Sequence, residues 1–252
     1  MTFAVAAEAY DRFMGRYSRE LAPRFLDFAG VEAGPALDVG CGPGDLTSEL
    51  VARLGGSAVA AVDPSEPFVA ACRARVPAAD VRLAPAEALP FADATFQVAL
   101  SQLVLTFVRA PDRAAAELSR VVRRGGTVAA CTFETAGLEV VRVFWQAARR
   151  LDPAAPDDAG LPFRTVPELV GLWTGAGFRE IATGVLDVAS RYADFEDCWM
   201  PFTYGIGPAG SWLAAQPEQR KARVREAFFE LLGRPAGAFV LPARAIAVRG
   251  RV

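Results

Sequence analysis

The 252-residue chain contains no histidine and no asparagine, and Lys221 is its single lysine. The missing imidazole removes the commonest general base and the commonest transition-metal ligand. Ser-His-Asp and Cys-His hydrolases are therefore excluded. The four cysteines, Cys41, Cys72, Cys131 and Cys198, form no C-x-x-C pair, which argues against a zinc site. No clustered set of carboxylates with an amide is visible, so no metal is implied. The formal net charge is −2 and there is no basic stripe, so neither nucleic acid nor an anionic membrane is expected as a partner. No uncharged run approaches the ~20 residues that span a bilayer. The start, "MTFAVAAEAYDRF", lacks the basic end and long apolar core of a signal peptide. These absences predict a soluble, cytoplasmic protein with reduced thiols.

What is present is an apolar chain, 52% hydrophobic, with an alternating pattern in its first half. Residues 6–14 and 19–28 have amphipathic helical spacing, separated by "GRYS". "PALDVG", "SAVAAVD", "DVRLAP", "FQVALS" and "GGTVAACTF" read as five buried strands. Helical patterns over 46–54, 66–75 and 113–122 fall between them. Such alternation predicts a doubly wound, mostly parallel sheet with helices on both faces and ligands beyond the carboxyl ends of the strands. Further on, 138–151 and "VPELVGLWTGAGF" read as helices, and 180–189 and 238–248 as two late strands. The expected organisation is one domain over 1–252. Residues 1–30 would form a helical cap, and 190–237 a helical insertion between the last two strands.

The chemistry concentrates in "ALDVGCGPGDLT", where Gly40, Gly42 and Gly44 follow a strand that carries Asp38. A G-x-G-x-x-G loop would indicate a dinucleotide, but here the third glycine comes one place earlier and Asp45 would oppose a pyrophosphate. Asp63 ends the second strand, where a carboxylate grips ribose hydroxyls. Three acids around a bare turn call for a ligand with a ribose and a positive charge.

"LDVGCGPGDLT" resembles the first motif of the class I S-adenosylmethionine-dependent methyltransferases. "VAAVDPS", "APAEALPFADATFQVALSQLVLTFV" and "ELSRVVRRGGTVAACTF" resemble their following segments, and "YDRFMGRYSRELA" the N-terminal segment of the ubiquinone/menaquinone-biosynthesis-like branch. The resemblance implies a seven-stranded Rossmann-like fold and S-adenosyl-L-methionine as cofactor, leaving as S-adenosyl-L-homocysteine. It also implies that Gly40, Gly42 and Gly44 admit the methionine part and the ribose. Asp38 would act near the ammonium. Asp63 would accept the ribose hydroxyls, with Pro64 and Ser65 beside the adenine and Ala86 and Glu87 bordering it. Ser101 and Gln102 would lie beside the methionine tail. Tyr10, Arg16 and Tyr17 would close over the cofactor, with Arg16 on its carboxylate. Each role has a structural competitor: a loop cap for Asp38, a helix N-cap for Asp63, a solvated acid for Glu87, core aromatics for Tyr10 and Tyr17. Two positions depart from the family pattern. Pro85 stands where an acid often bonds the adenine, and Thr106 where many relatives have His.

Methyl transfer from a sulfonium is an in-line displacement that rests mainly on positioning, worth about 7–11 kcal/mol of barrier. A histidine-free chain can therefore catalyse it. Glu134, Tyr204 and Tyr10 are the candidates for a proton acceptor. Trp199, Phe202 and Tyr204, in the aromatic insertion, either shape a substrate pocket or simply pack on the sheet. The expected reaction is methyl transfer to the O, N or C atom of a small organic molecule. The alternatives are a non-methylating reaction steered by the sulfonium charge, or a non-catalytic binding module.

Overall fold

The computed structural model describes residues 10–157, 160–205 and 207–252. Seven strands form one sheet: β1 (Ala36–Val39), β2 (Val59–Asp63), β3 (Asp80–Leu83), β4 (Phe96–Gln102), β5 (Val122–Leu138), β6 (Arg179–Tyr192) and β7 (Phe239–Arg251). Their order is β3-β2-β1-β4-β5-β7-β6. The first five pair in parallel, and β7 runs antiparallel between β5 and β6. Every residue of β1 and β2 is buried, which explains their unbroken apolar runs: both faces are covered by helices. The order reverses between β1 and β4, and the glycine loop leaves β1 at that switch.

Nine helices flank the sheet among the described residues: α1 (Arg16–Ala29), α2 (Asp45–Leu54), α3 (Glu66–Arg75), α4 (Pro111–Val121), α5 (Glu139–Leu151), α6 (Val166–Gly175), α7 (Phe195–Thr203), α8 (Gly207–Ala214) and α9 (Glu218–Leu231). Their starts follow local chemistry. Thr165 and Glu168 form a capping box on α6 and the Asp194 carboxylate accepts the Asp197 N–H of α7 at 2.9 Å. α4 and α6 of one face pack on Leu37, Val39, Ala99 and Val128. α1, α2 and α5 cover the other face with Leu100 and Ala129. Asp38 and Gln102 alternate onto this second face. No helix among the described residues is long and apolar enough to cross a membrane.

The N-terminal region differs from its expected form. Residues 6–9 lie outside the described residues. From Asp11 there is no break at "GRYS": a π-helical turn, Asp11–Gly15, runs straight into α1. Gly15 keeps helical angles (φ −58, ψ −32), so a glycine that reads as punctuation is here only a residue without a side chain. The late strands β6 and β7 also extend beyond their apolar cores, paired as a long ribbon from Arg179↔Arg251 to Tyr192↔Phe239.

The insertion between β6 and β7 folds as α7, α8 and α9, and its aromatic residues pack inward. Phe202 stacks on Phe144 of α5 with centroids 4.4 Å apart. Phe228 meets both Phe144 and Phe202 edge-on. Phe202 is 0% and Trp199 5% exposed, and Tyr204 packs half-buried against the same cluster. These helices bury their apolar faces mainly on α5 and on one another, with a lesser contact of α7 on β6. The expectation that Trp199, Phe202 and Tyr204 face a substrate is therefore corrected: they form the insertion's own core. Phe202→Ala is expected to cost about 3–5 kcal/mol in urea unfolding, the range for a fully buried phenylalanine. A loss below about 1 kcal/mol would contradict this packing.

Candidate active site

The glycine loop is shaped by three different demands. All three glycines have positive φ (+80, +53 and +97 for Gly40, Gly42 and Gly44), angles that side chains resist. A Cβ on Gly40 would overlap the Val104 side chain, and one on Gly44 would sit 2.9 Å from Cys72 Sγ. A Cβ on Gly42 would meet nothing within 4 Å. Gly40 thus admits the loop after β4, Gly44 admits α3, and Gly42 leaves bare backbone toward open space. Gly40 and Gly42 line the main cavity and Gly44 does not, so Gly44 moves from the cofactor set to the packing of the turn.

Asp63 at the end of β2 holds the loop in place. One carboxylate oxygen accepts the Gly42 N–H at 2.9 Å and the other the Ser65 N–H at 2.9 Å. Burial raises its pKa while both amides oppose the rise. Each oxygen retains acceptor capacity for a further donor. Asp63, Pro64 and Ser65 line the cavity, as do Pro85, Ala86 and Glu87 from the loop after β3. Glu87 Oε1 accepts the backbone N–H groups of Arg109 and Ala110 at 3.1 and 3.3 Å, tying that loop to the start of α4.

Asp38 is 1% exposed and lies outside the cavity lining. Its Oδ2 accepts the Thr47 hydroxyl at 2.6 Å, and Oδ1 has no partner. Burial, followed by the charges of Asp63 and Asp45, pushes its pKa up to about 7 against the Thr47 hydrogen bond. Gln102 lines the cavity. Its Nε2 donates to the carbonyl and hydroxyl of Ser18 at 3.2 and 2.8 Å, and its buried Oε1 is unpartnered. Ser101 is buried and absent from the wall, because its side chain alternates to the opposite face of β4.

Three further expectations are corrected. Arg16 does not reach the cavity. It forms a two-pronged pair with Asp197 at 2.8 and 3.2 Å and lies 4.4 Å over the Tyr192 ring, tying α1 to α7 and β6. Tyr17 is fully buried, its hydroxyl 2.8 Å from that of Tyr192. The Glu134 side chain is not on the wall, and its carbonyl accepts from Arg164 at 2.8 Å. Tyr10 does line the cavity, 5.2 Å from the Phe68 ring. Burial and then the charges of Asp45, Asp63 and Asp11 raise its pKa above the ordinary phenol value, so at neutral pH it keeps its proton and serves as a donor, not a base.

Other wall residues went unread in the sequence. Phe13 and Met14 stand with Tyr10 on the wall, at i, i+3 and i+4 of one helical face, a spacing that could have revealed them. Phe133, Leu138, Val141 and Pro208 add apolar surface. Arg164, 6% exposed, comes from the loop before α6 and donates through Nε to the Phe133 carbonyl at 3.1 Å. Nothing local to its sequence signals that position.

The cavity measures about 970 Å³, at the upper end of the ~300–1,000 Å³ range of small-molecule sites. Its chemistry fits an adenosyl sulfonium. Gly42 offers bare backbone and Asp63 a carboxylate for hydroxyls. The unpartnered oxygens of Asp38 and Gln102 call for donors or positive charge. A family described as "Methyltransferase domain" matches residues 37–130. The chain is 34% identical over 189 residues to malonyl-[acyl-carrier protein] O-methyltransferase of Pseudescherichia vulneris, covering 74% of this chain and 72% of that protein. It is 35% identical over 102 residues to trans-aconitate 2-methyltransferase of Rhizobium meliloti, 36% of this chain and 39% of that one. The fold matches geranyl diphosphate methyltransferase in complex with S-adenosylmethionine, with a TM-score of 0.53, 16% identity and coverage of 93% and 85%. The chain belongs to the class I S-adenosylmethionine-dependent methyltransferases. It is an enzyme of that class with S-adenosylmethionine as its cofactor, and the quinone-biosynthesis branch is not singled out.

Asp63→Ala is expected to weaken S-adenosylhomocysteine binding more than tenfold in calorimetry, since it removes charge-assisted bonds and frees the Gly42 N–H. Asp38 gives a pH prediction. In the free chain it holds its proton below about pH 7. A cation bound nearby favours the ionised form, so binding expels a proton. Affinity for S-adenosylmethionine then rises with pH up to about 7 and levels above it. Asp38→Asn should abolish that rise, and titrations in buffers of different ionisation enthalpy should show the released proton.

Proposed function

We propose that this methyltransferase esterifies a small carboxylic acid of apolar body. The observation that carries this reading is the wall away from Asp63 and Glu87. Among the described residues, the carboxylates of the wall are Asp63, Glu66 and Glu87, from the end of β2, the start of α3 and the loop after β3; the rest offers arginine, amide, hydroxyl and apolar side chains, but no imidazole or thiol to take a proton. An acceptor that is already ionised at neutral pH needs no such group. Carboxylic acids meet that condition, with pKa values near 4, and phenols, alcohols and most amines do not. Two relatives are named for acting on an acid: malonyl-[acyl-carrier protein] and trans-aconitate.

When bound, the cofactor supplies a methyl group on a positively charged sulfur. The chain's residues supply placement. Asp63, Gly42 and the Pro64–Ser65 turn hold the adenosyl half, with Glu87 bracing the loop beside it. Gln102 Oε1 and, behind the wall, Asp38 hold the ammonium end. Arg164 is held by the Phe133 and Glu134 carbonyls and adds positive potential to the wall beside the acceptor carboxylate. Phe13, Met14, Phe133, Leu138 and Val141 exclude water, which strengthens that potential and leaves the nucleophilic oxygen poorly solvated. No proton moves in the step, because a carboxylate oxygen becomes a neutral ester. Thr106, on the wall where a family histidine often stands, has no proton to accept.

The test is a panel of free acids and malonyl thioesters, incubated with S-adenosylmethionine and read by mass spectrometry for a methyl ester and S-adenosylhomocysteine in equal amounts. The rate is expected to stay flat from about pH 6 to 9 once cofactor is saturating, because the acceptor is ionised throughout. Arg164→Gln should lower kcat/KM for the acid about tenfold, the loss of positive potential beside the acceptor, with cofactor affinity within about twofold. A phenol or amine turned over faster than any acid would replace this reading.

A further inference from the structure

Four charges close a ring outside the cavity. Asp11 pairs with Arg19 at 2.7 Å, Arg19 with Asp45 at 3.6 Å, Asp45 with Arg75 at 2.6 Å, and Arg75 with Asp11 at 3.2 Å. Signs alternate around the ring, so each acid touches both arginines. It joins the N-terminal turn and α1 to the first residue of α2, directly after the glycine loop, and to the end of α3. Asp45 is the anchored member, with its side chain 5% exposed, while Arg19 is half exposed. The sequence makes the ring possible at Gly15. A Cβ there would overlap Asp11 Oδ1, so glycine leaves room for the Asp11 carboxylate to fold back along its own turn. The wide π-helical spacing of Asp11–Gly15 is a geometry often found at functional places in helices.

The turn that the ring holds down carries Tyr10, Phe13 and Met14, which share one cavity with Gly42, Asp63 and Phe68. Tyr10 closes on Phe68 of α3. We propose that this charge ring is a latch on cofactor exchange: it keeps the N-terminal turn against the glycine loop and α3, and it opens for S-adenosylmethionine to enter and S-adenosylhomocysteine to leave. The inference rests on the adenosyl group lying between Asp63 and Glu87. Three members of the ring are solvent-accessible, so salt weakens it, whereas the apolar contacts of Phe13 and Met14 are insensitive to screening.

The experiment follows release of S-adenosylhomocysteine from the full chain by stopped-flow tryptophan fluorescence at about 0.1 M and about 1 M sodium chloride, between which the screening length falls from roughly 10 to 3 Å. Wild-type release should accelerate about three- to tenfold, the scale of a few partly exposed ion pairs. Asp11→Asn should release fast at both concentrations and lose most of the salt response. Arg19→Gln should behave alike, and Arg19→Lys, which keeps the charge, should stay slow. Exposed ion pairs add little to global stability, so the urea unfolding midpoint should stay close to that of the wild type in all of them, which separates a latch from general loosening of the fold. Salt-independent release in the wild type, or slow release from a folded Asp11→Asn, overturns the latch. A misplaced adenosyl group would show elsewhere, as undiminished affinity in Asp63→Ala.

Discussion

The Asp63 carboxylate is the constraint on which the site depends. It is nearly buried, yet it is used twice within the protein, accepting an N–H from the glycine loop and another from the turn that starts α3. That arrangement fixes the position of Gly42 relative to β2 before any ligand arrives. A buried carboxylate is costly unless hydrogen-bonded, and here the bonds that satisfy it also build the cradle. The same geometry explains why Pro64 can follow it: Pro64 lacks an N–H, so the carboxylate reaches past it to Ser65.

A second division follows from burial. The large aromatic residues of the insertion stabilise α7–α9 on α5, and among the described residues the cavity takes from that insertion the start of α8, through Gly207, Pro208 and Ala209. Stability and recognition therefore occupy different residues of the same segment. The apolar acceptor surface comes mainly from the N-terminal turn, the end of β5 and the start of α5, elements fixed directly on the sheet. Arg16 and Asp197 lock the two parts together: the guanidinium holds the Asp197 carboxyl below its ordinary range.

How much of this was legible in the sequence depends on range. The strands β1–β4 and helices α2 and α3 were readable because periodicity and the glycine turn are local signals. Asp63 could be picked out because it ends a strand, where this architecture concentrates ligand contacts; Pro64, Ser65, Ala86 and Glu87 came from the resemblance of their segments to the family's motifs, and all five line the cavity. Arg16, Tyr17, Trp199 and Phe202 were misplaced because a buried aromatic or a paired arginine looks the same in sequence as one facing a ligand. Which it becomes is decided by partners such as Asp197 and Phe144, 181 and 58 positions away from Arg16 and Phe202. Arg164 was invisible for the same reason: its place is set by the carbonyls that end β5, thirty residues earlier.

The acids around the glycine loop form one negative cluster. Desolvation raises the pKa of Asp38, Asp63 and Asp45, and the charges of Asp63 and Asp45 add to the rise at Asp38. Asp45 alone of the three finds cations within the protein, through Arg75 and Arg19. Asp38 and Asp63 have only hydroxyl and amide donors. Asp63 on the cavity wall and Asp38 buried behind it, neither paired with a cation, favour a ligand that carries positive charge to them. A sulfonium with an ammonium does so twice. Loss of the methyl group removes one of those charges and with it that part of the attraction. The charge arrangement that secures the cofactor thereby also favours its exchange after turnover.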